Sequence, residues 1–460
     1  MPQASRSNER GIGKASLVTL VVILLIIIGV SFKLFSNPAP TIKPAKNLRG
    51  IGLSRAIEFT VHDPSYRITA VRVELQQNGQ TFRVPATVRE IAGGPKNSGH
   101  TVEVSAQVGR REIPQLRAGR ATLILTALNN SWGRLFRGGK AVLALNLPVR
   151  FMPPQVEVLT TQHYINLGGC GMVVFNTSPG TVRSGVEVGK YYFPSWPVSE
   201  SDTQRRLCVF AFPYNVDPNT PARIVAEDDA GNQTLANFDY KVFPKKFHSS
   251  TLEITDSFMQ RVVPPILSQT SDIQDQGSLL KNYVEINRNL RLVDKQRLIQ
   301  FSKQTNPKFL WRQPFIQLRN SKVESSFADF RTYTYNGQVI DHEVHLGFDL
   351  AVVAHTPVVA ANDGQVIFAG WFDIFGNAVL IDHGCGLQSL YGHLASSIVK
   401  PGELVKRGQL IGYSDSTGLA GGDHLHFAIL LDGVPVNPEE WWDPHWIHDR
   451  ITAKLQEYQK

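Results

Sequence analysis

Strict alternation of apolar and polar residues marks two short segments, 344–350 and 423–427. A period of two residues predicts β-strands, each with one face toward a core and one polar face. The polar positions of the two segments include His345, Gly347, Asp349, His424 and His426. We therefore expect three histidines and one aspartate on the polar faces of two strands.

Further alternation extends through the ranges 50–152 and 153–245, and a proline pair beginning at Pro153 separates them. Short alternating segments at this spacing predict a β-sandwich of the immunoglobulin-like type in each range. Asn78-Gly79 lies between two segments of the first range and predicts a two-residue hairpin turn. Neither range shows evident chemistry, so we interpret both as spacing domains that dock other proteins.

In residues 246–310 the apolar positions no longer alternate but recur with helical periodicity. The pattern predicts a first helix over 252–263, ended by a proline pair, and a second from the capping residue Ser278 toward Phe301. Two helices joined by a loop predict an αα-hairpin. Two interpretations stay open: a spacer that orients the following domain, or an inhibitory segment that covers its groove.

At the end of the chain, residues 441–460 carry an apolar stripe with helical spacing. The stripe consists of Trp446, Ile447, Ile451 and Leu455. It predicts a C-terminal helix that docks on the domain before it.

The segment 15–32 contains no charged residue and is dense in Val, Leu and Ile. Extended to residue 35, it is long enough to cross a bilayer once. Residues 1–14 are polar and basic, which predicts a cytoplasmic N-terminal tail and translocation of the chain that follows. We therefore expect a single-pass anchor at 15–35, a linker at 36–49, and the bulk of the protein in a periplasm or otherwise outside the cytoplasmic membrane.

A cleaved signal peptide is the alternative for this segment. Its apolar core would span about 7–15 residues and precede a site with small residues. The apolar run here is longer, and residues 36–40 form a poor cleavage site. The pattern favours the uncleaved anchor.

Composition describes an ordered protein of several domains. The 460 residues are 42% hydrophobic and 19% charged, with a formal net charge of +8, and this length predicts three or four domains. The mild positive charge suits anionic wall polymers or phospholipid headgroups. No Lys/Arg-rich run occurs, which argues against nucleic-acid binding.

Cysteine usage leaves two interpretations. Cys170 and Cys208 lie in the same predicted β domain and could form a disulfide in an oxidising compartment. Alternatively, these two residues and Cys385 are all reduced and structural.

The histidines and the aspartate on the predicted strands suggest a metal site. Zinc binds imidazole nitrogen and carboxylate oxygen at about 2.0–2.2 Å, and catalytic sites use three protein ligands with one open position. On a straight strand His345 and Asp349 would lie roughly 13 Å apart, so we expect a bend at Gly347 that brings them together. A further histidine, His393, follows Gly392 in an apolar context.

Three motifs, at 345–349, 391–394 and 418–427, resemble those of the lysostaphin and LytM family of zinc endopeptidases, which are peptidoglycan hydrolases. The first reads His-Leu-Gly-Phe-Asp, the second Tyr-Gly-His-Leu, and the third ends in His-Leu-His-Phe. The resemblance covers roughly 315–438, about a quarter of the chain, and its combined motifs are specific.

The resemblance implies an all-β catalytic domain at 311–440 that binds one zinc ion. The implied zinc ligands are His345, Asp349 and His426, and the implied catalytic pair is His393 and His424. In such a pair one imidazole takes the proton of a water molecule and the other stabilises the oxyanion. The sequence does not assign these two roles.

Other residues of this region carry weaker predictions. Asp423 and Ala428 differ from the family pattern, where a proline and an acidic residue are usual, and they put substrate preference in question. Tyr391 is interpreted as a packing residue that could add a hydrogen bond. The weaker site candidates are His342, His355 and His383.

Together these features predict a membrane-anchored multidomain protein: one transmembrane helix, two immunoglobulin-like β-sandwiches, a helical spacer, and an all-β catalytic domain. The resemblance implies zinc-dependent hydrolysis of peptide cross-links or stem peptides of peptidoglycan, with envelope proteins as partners of the sandwiches. A catalytically silent wall-binding module that activates other peptidoglycan hydrolases is the alternative. A purely structural tether is the third.

Overall fold

The computed structural model describes residues 14–35, 39–91, 99–131 and 138–458. Most of the predicted cytoplasmic tail therefore lies outside the described residues. The chain divides into two compact units. These units are Met1–Pro153 with Asp228–Asn232, and Pro154–Glu227 with Gln233–Lys460.

The first unit begins with helix α1, Lys14–Phe35. The side chains of this helix are described for residues 19–31, and the large apolar ones among them are 48–64% exposed. Within the described part of the chain, no helix combines the length and the hydropathy that a membrane crossing needs.

Two four-stranded antiparallel sheets follow in the first unit, ordered β1-β2-β6-β5 and β4-β3-β7-β8. The strands are β1 (Thr41–Pro44), β2 (Arg55–Asp63), β3 (Ile68–Gln77), β4 (Gln80–Val84), β5 (Ala86–Glu90), β6 (His100–Val108), β7 (Gly119–Asn129) and β8 (Lys140–Val149). Their alternate apolar residues form one shared core, as in a β-sandwich. The predicted hairpin turn is confirmed, since Gln77 pairs with Gln80 and both turn residues have positive φ.

The second unit begins with three further sheets, ordered β14-β15-β11-β9, β13-β12-β16-β17 and β10-β18. The strands are β9 (Val156–Val158), β10 (His163–Asn166), β11 (Cys170–Thr177), β12 (Thr181–Val188), β13 (Tyr191–Pro194), β14 (Trp196–Pro197), β15 (Arg205–Ala211), β16 (Ala222–Asp228), β17 (Gln233–Ala236) and β18 (Tyr240–Phe243). Most of the buried apolar residues of β11 and β15 belong to one core that continues into the C-terminal part of the chain.

Cys170 and Cys208 are not joined by a disulfide, so of the two interpretations left open by the sequence, the one that pairs them is wrong. In the pairing of β11 with β15, Cys208 lies opposite Val173, three residues from Cys170. All three cysteines are free and buried. Burial raises the pKa of the Cys170 and Cys208 thiols well above the usual value, which keeps them protonated and unreactive.

Residues 246–310 contain a strand as well as helices. The elements are β19 (Ser249–Glu253), α2 (Asp256–Gln269), α3 (Leu279–Glu285), a π-helix (Ile286–Leu290) and α4 (Arg291–Ser302). The Ser278 cap is confirmed, because its side chain accepts a hydrogen bond from the Lys281 N–H. The second predicted helix runs without interruption from 279 to 302 through the π-helical turn.

The predicted bounds of the first helix, 252–263, are wrong at both ends, because Leu252 belongs to β19 and the proline pair does not end the helix. Helix α2 continues through Pro264 and Pro265 to Gln269. Its buried residues, each at most 2% exposed, are Met259, Val262, Val263 and Ile266. Burial of each of these side chains stabilises the fold by about 1.5–3 kcal/mol. The sum over the four residues offsets the destabilisation of roughly 3 kcal/mol that each proline causes inside a helix.

The C-terminal domain is built on a ten-stranded sheet whose main order is β20-β23-β30-β27-β26-β25-β28. Its strands are β20 (Lys322–Ser325), β23 (Phe348–Ala351), β24 (Pro357–Val359), β25 (Gly364–Trp371), β26 (Asn377–Gly384), β27 (Leu387–Ser397), β28 (Leu404–Val405), β29 (Leu410–Ser414), β30 (His424–Leu431) and β31 (Val434–Val436). A smaller sheet, β19-β21-β22, contains β21 (Asp329–Tyr335) and β22 (Gln338–His345). A 3₁₀ turn spans Asp373–Phe375.

The chain ends in short helices: α5 (Pro438–Trp442), α6 (Pro444–Ile447), a π-helix (His448–Thr452) and α7 (Ala453–Tyr458). The expectation that they dock on the domain before them is incomplete. Lys454 Nζ donates to the Met172 carbonyl oxygen at 3.0 Å, and the Tyr458 hydroxyl donates to that of Leu159 at 2.7 Å. These helices therefore also attach to the β9–β11 region, and the residues of the stripe belong to or pack against the core that this region shares with the C-terminal domain.

Candidate metal centre

A break between β22 and β23 brings His345 and Asp349 together. Strand β22 ends at His345, the chain turns through residues 346 and 347, and β23 begins at Phe348. His345 Nε2 lies 2.9 Å from Asp349 Oδ1, whereas four residues of straight strand would span roughly 13 Å. The predicted bend is present.

Gly347 lies at this bend, and a larger residue there would collide with His426. A Cβ atom at position 347 would lie 2.6 Å from His426 Cε1 and 2.8 Å from the Phe427 carbonyl oxygen. Both distances are shorter than atoms of a folded protein tolerate. Glycine therefore permits the close approach of this turn to strand β30.

The pairing of β23 with β30 supplies the third side chain. Asp349 lies directly opposite His426 in this antiparallel pair. His426 Nδ1 is 3.0 Å from Asp349 Oδ1 and 3.1 Å from His345 Nε2. One atom from each of three strands thus forms a triangle with edges of 2.9–3.1 Å.

The chemistry of this triangle fits a zinc ion. The Ser326 carbonyl oxygen lies 3.2 Å from His345 Nδ1, and because a carbonyl only accepts, Nδ1 carries a proton and Nε2 is left to face Asp349 Oδ1. At 2.9 Å, a proton or a metal ion bridges this nitrogen and this oxygen. Tetrahedral zinc bonds of about 2.0–2.2 Å separate ligand atoms by roughly 3.3–3.6 Å, so small side-chain shifts would admit the ion.

Burial and charge keep Asp349 and His426 in metal-binding forms. The side chains of His345, Asp349 and His426 are 6–14% exposed. Burial alone would raise the pKa of Asp349, but the neighbouring His345, His424 and His426 hold it well below its usual range. Burial lowers the pKa of His426 to about 4. At neutral pH the carboxylate is therefore ionised and the imidazole neutral, as metal ligands must be.

His393 and His424 lie beside the triangle, with ring centroids 4.7 Å apart. His424 Nε2 is 3.4 Å from Asp349 Oδ1. Burial, reinforced by His424 and His426, holds the pKa of His393 well below its usual value. Burial also acts to lower the pKa of His424, but hydrogen bonding to Asp349 outweighs it, so that pKa lies above its usual value.

Sequence reasoning missed Arg331, which contacts the implied ligand Asp349 directly. Arg331 Nη2 donates to Asp349 Oδ2 at 2.9 Å. Arg331 Nε also approaches Asp329 Oδ2 at 3.4 Å. The available signal was a pair of charged residues at alternate positions of β21, the strand that pairs with β22 and places Asp329 opposite His345.

An open groove of about 820 Å³ reaches this centre. Its lining includes Asp349, His424, Arg331, Asp329, His248 and Ser250. Among the residues that line it, none belongs to helices α2–α4. Within the residues that the structure describes, helices α2–α4 therefore do not cover this groove.

Helix α4 instead lies behind the centre. A cavity of about 40 Å³ is bounded by Arg291, Lys295 and Leu298 on one side and reaches His345 and His426 on the other. Arg291 and Lys295 both lie within 4.0 Å of Glu343, two residues before His345. The helical segment is thus a back wall for the strand that carries the first histidine.

The remaining candidates of the domain contact residues outside the triangle. His383 is fully buried, with hydrogen-bond contacts to the Asp363 carbonyl oxygen and the Ser389 hydroxyl. The Tyr391 hydroxyl accepts a hydrogen bond from the Ala361 N–H at 2.7 Å, which agrees with a packing role. His342 contacts Thr332, and the His355 N–H donates to the Ser414 carbonyl oxygen.

Residues 343–438 match the family model described as Peptidase family M23. This match confirms the predicted resemblance and identifies the segment as an M23 peptidase domain. The matched range is shorter than the predicted catalytic domain, 311–440, and leaves out Arg331 and Asp329.

Among curated proteins, the chain is 42% identical over 95 residues to the DD-carboxypeptidase/endopeptidase Mpg of Neisseria meningitidis serogroup B, covering 21% of this chain and 22% of the relative. It is 37% identical over 116 residues to the peptidoglycan DD-endopeptidase ShyA of Vibrio cholerae serotype O1, covering 25% and 26%. A solved structure of an M23 peptidase from Pseudomonas aeruginosa aligns with a TM-score of 0.37 and 20% identity, over 60% of this chain and 93% of that chain. The chain spans about a quarter of the length of the curated relatives it matches.

Proposed function

We propose that this protein is a zinc-dependent endopeptidase that hydrolyses peptide cross-links or stem peptides of peptidoglycan during cell-wall remodelling. One observation carries the proposal: His345 Nε2, Asp349 Oδ1 and His426 Nδ1 lie 2.9–3.1 Å from one another. Three converging ligand atoms with an open side facing a groove are what a catalytic zinc site requires.

Zinc bound at this triangle would polarise a peptide carbonyl and lower the pKa of its water molecule toward about 7. The protein's own contribution comes from the two further imidazoles. His393 Nδ1 faces the Thr417 carbonyl oxygen at 2.7 Å, and His424 Nδ1 faces that of Gly422 at 2.8 Å. Each Nδ1 therefore carries a proton, which leaves Nε2 of each ring as the atom that can gain or lose one.

This geometry supports proton transfer at Nε2 of the pair. One of the two Nε2 atoms accepts the proton of the attacking water, and a protonated Nε2 donates a hydrogen bond to the oxyanion that develops on the peptide carbonyl. The backbone carbonyls that accept from Nδ1 hold both rings in the orientation that this exchange needs. The groove accommodates the peptide on either side of the reacting bond.

Peptidoglycan as the substrate is supported by the relatives. Mpg is named as a DD-carboxypeptidase/endopeptidase and ShyA as a peptidoglycan DD-endopeptidase. We extend their substrate class to this protein, without assigning the bond that it cuts.

We further propose that residues 15–35 anchor the protein in the cytoplasmic membrane, with the M23 domain on the periplasmic or outer side. The uncharged run 15–32 and the exposed apolar side chains of α1 support this placement. The two β-sandwich regions, which we propose to be immunoglobulin-like, would space the enzyme from the membrane and dock envelope proteins.

The test is digestion of purified cross-linked peptidoglycan by the full chain, followed by mass analysis of the fragments. We expect fragments that have gained one water at a peptide bond, loss of this activity with a chelator, and its return with zinc. Cleavage that continues in the chelator would contradict the proposal. So would a zinc-loaded chain that cuts nothing by itself and only stimulates another hydrolase.

A further inference from the structure

The two oxygens of the Asp349 carboxylate have different surroundings. Oδ1 faces nitrogen atoms of His345, His426 and His424 at 2.9, 3.0 and 3.4 Å. Oδ2 instead accepts a hydrogen bond from Arg331 Nη2 at 2.9 Å. Oδ1 is thus placed to bind a metal ion, while Oδ2 is already hydrogen-bonded to Arg331.

Arg331 is held in place by contacts on its other donors. Its side chain is only 17% exposed. Nη2 also donates to Ser325 Oγ at 2.7 Å, and Nε approaches Asp329 Oδ2 at 3.4 Å. A planar guanidinium fixed at several donors holds its partner in a defined orientation, which the single ammonium of lysine does not.

Asp329 anchors this arrangement from behind, and strand β19 anchors Asp329. The Asp329 side chain is 6% exposed. Its Oδ1 lies 2.8 Å from His248 Nδ1, and its Oδ2 accepts from Ser250 Oγ at 2.7 Å. β19 pairs in parallel with β21, so that Ser250 lies beside Arg331 in the register. A chain of polar contacts therefore runs from β19 through Asp329 and Arg331 to Asp349.

From this geometry we infer that Arg331 is a positioning residue for the metal centre: it retains Asp349 Oδ2, so that the carboxylate binds zinc through Oδ1 alone. The inference rests on the proposed function. A carboxylate that is free to rotate can chelate zinc with both oxygens and fill the position that water needs. The charge-assisted bond to Arg331 opposes this rotation.

The support for the metal centre therefore comes partly from outside the M23 segment. Arg331, Asp329 and strand β19 all precede residue 343, where the family match begins. Groups that orient metal ligands in this way typically change metal affinity by about 10–100-fold when removed. Strand β19 and its neighbouring residues thus support the metal ligand Asp349 through Asp329 and Arg331, in addition to connecting two domains.

The test measures metal binding by the full chain, without reference to peptidase activity. The metal-free protein is titrated with Zn²⁺ against a competing chelator, and separately with Co²⁺ while the visible absorption is recorded. We expect Arg331→Met to raise the Kd for zinc about 10–100-fold. We also expect the visible absorption bands of the bound Co²⁺ to weaken. The released carboxylate would bind the ion through both oxygens, which raises its coordination number.

Arg288→Met is the matched control. Arg288 Nη2 lies 2.8 Å from Asp341 Oδ1, so this variant also breaks an arginine bond to a buried aspartate, on the same strand as His345. It should leave the zinc Kd and the cobalt spectrum unchanged. If Arg331→Met does not fold, Arg331→Lys carries the test and should also alter the cobalt spectrum, because lysine keeps the charge without the planar fork.

An Arg331 variant with the wild-type zinc Kd and the wild-type cobalt spectrum would overturn the inference. A folded wild-type chain that binds no zinc would overturn both this inference and the proposed function. A wild-type chain that binds zinc but cuts no peptidoglycan would contradict the proposed function alone.

Discussion

The imidazole rings of His393 and His424 lie 4.7 Å apart, and the Nδ1 atom of each faces a carbonyl oxygen of a single loop. The two acceptors are Thr417 and Gly422, at 2.7 and 2.8 Å. The backbone of this loop, residues 417–422, therefore orients both rings, and His424 Nε2 lies 3.4 Å from Asp349 Oδ1 in the metal triangle.

Removing either imidazole should separate catalysis from metal binding. We expect His393→Ala and His424→Ala to retain zinc and to lose activity by about 10²–10⁴-fold, because a positioned acid or base contributes that much. Bound zinc and the rate of peptidoglycan cleavage are measured on the same preparations. Release of zinc by either variant would show that our division between ligands and catalytic residues is wrong.

Arg261 of α2 holds the same loop from outside. Its Nη2 donates to the carbonyl oxygens of Ala420 and Gly421 at 3.1 and 2.8 Å. We expect Arg261→Ala to lower the cleavage rate by up to about tenfold, because each lost hydrogen bond is worth about 0.5–1.5 kcal/mol, with zinc content unchanged. An increase in rate would instead support the interpretation of the helical segment as an inhibitor.

Position 347 tests the close packing of the centre. We expect Gly347→Ala to fold but to weaken zinc binding. The added Cβ atom would lie only 2.6 Å from His426 Cε1, so the imidazole ring would have to move. Gly421→Ala is the control, since a Cβ there meets no atom within 4 Å. Zinc titration compares the two variants. Equal affinity in Gly347→Ala and wild type would mean that the ligands tolerate this displacement.

Glu440 predicts how stability depends on pH. Glu440 is buried, and burial raises its pKa to about 7, although its oxygens accept from Asn166 Nδ2 and the Cys170 N–H. The ordinary pKa of this group is 4.5. Between pH 4.5 and about pH 7, the folded state keeps a proton on Glu440 that the unfolded state releases. The free energy of unfolding therefore falls as pH rises through this window, by about 3 kcal/mol in total.

Glu440→Gln should therefore reduce the loss of stability between pH 5 and pH 8, as measured by denaturant unfolding. Glu439→Gln is the control, because its neighbour Lys245 and its other hydrogen bonds lower the pKa of Glu439 despite partial burial. That control should leave the difference between pH 5 and pH 8 unchanged. An equal pH dependence in Glu440→Gln and wild type would mean that Glu440 is ionised throughout this range.

The sequence predicted those parts of the site that depend on local pattern. Alternation placed His345, Asp349 and His426 on polar strand faces, and Gly347 marked the bend. The pairing of β23 with β30, which sets Asp349 opposite His426, is a contact across 77 residues. Only the family resemblance anticipated it.

Other features lay beyond local pattern for a physical reason. Arg331 contacts Asp349 through tertiary structure, and the alternation of charged residues at 329 and 331 does not specify this partner. Helix α2 continues through Pro264 and Pro265, because packing in the folded protein outweighs a local preference. The contact of Lys454 with Met172 likewise follows from the packing of domains.

The central claim is that one zinc ion is held by His345, Asp349 and His426. Its most direct test is the zinc content per chain, measured by elemental analysis of purified wild type and Asp349→Ala under identical conditions. We predict one zinc per wild-type chain and none in the variant. A zinc-free wild type, or a full complement of zinc in Asp349→Ala, would contradict the account.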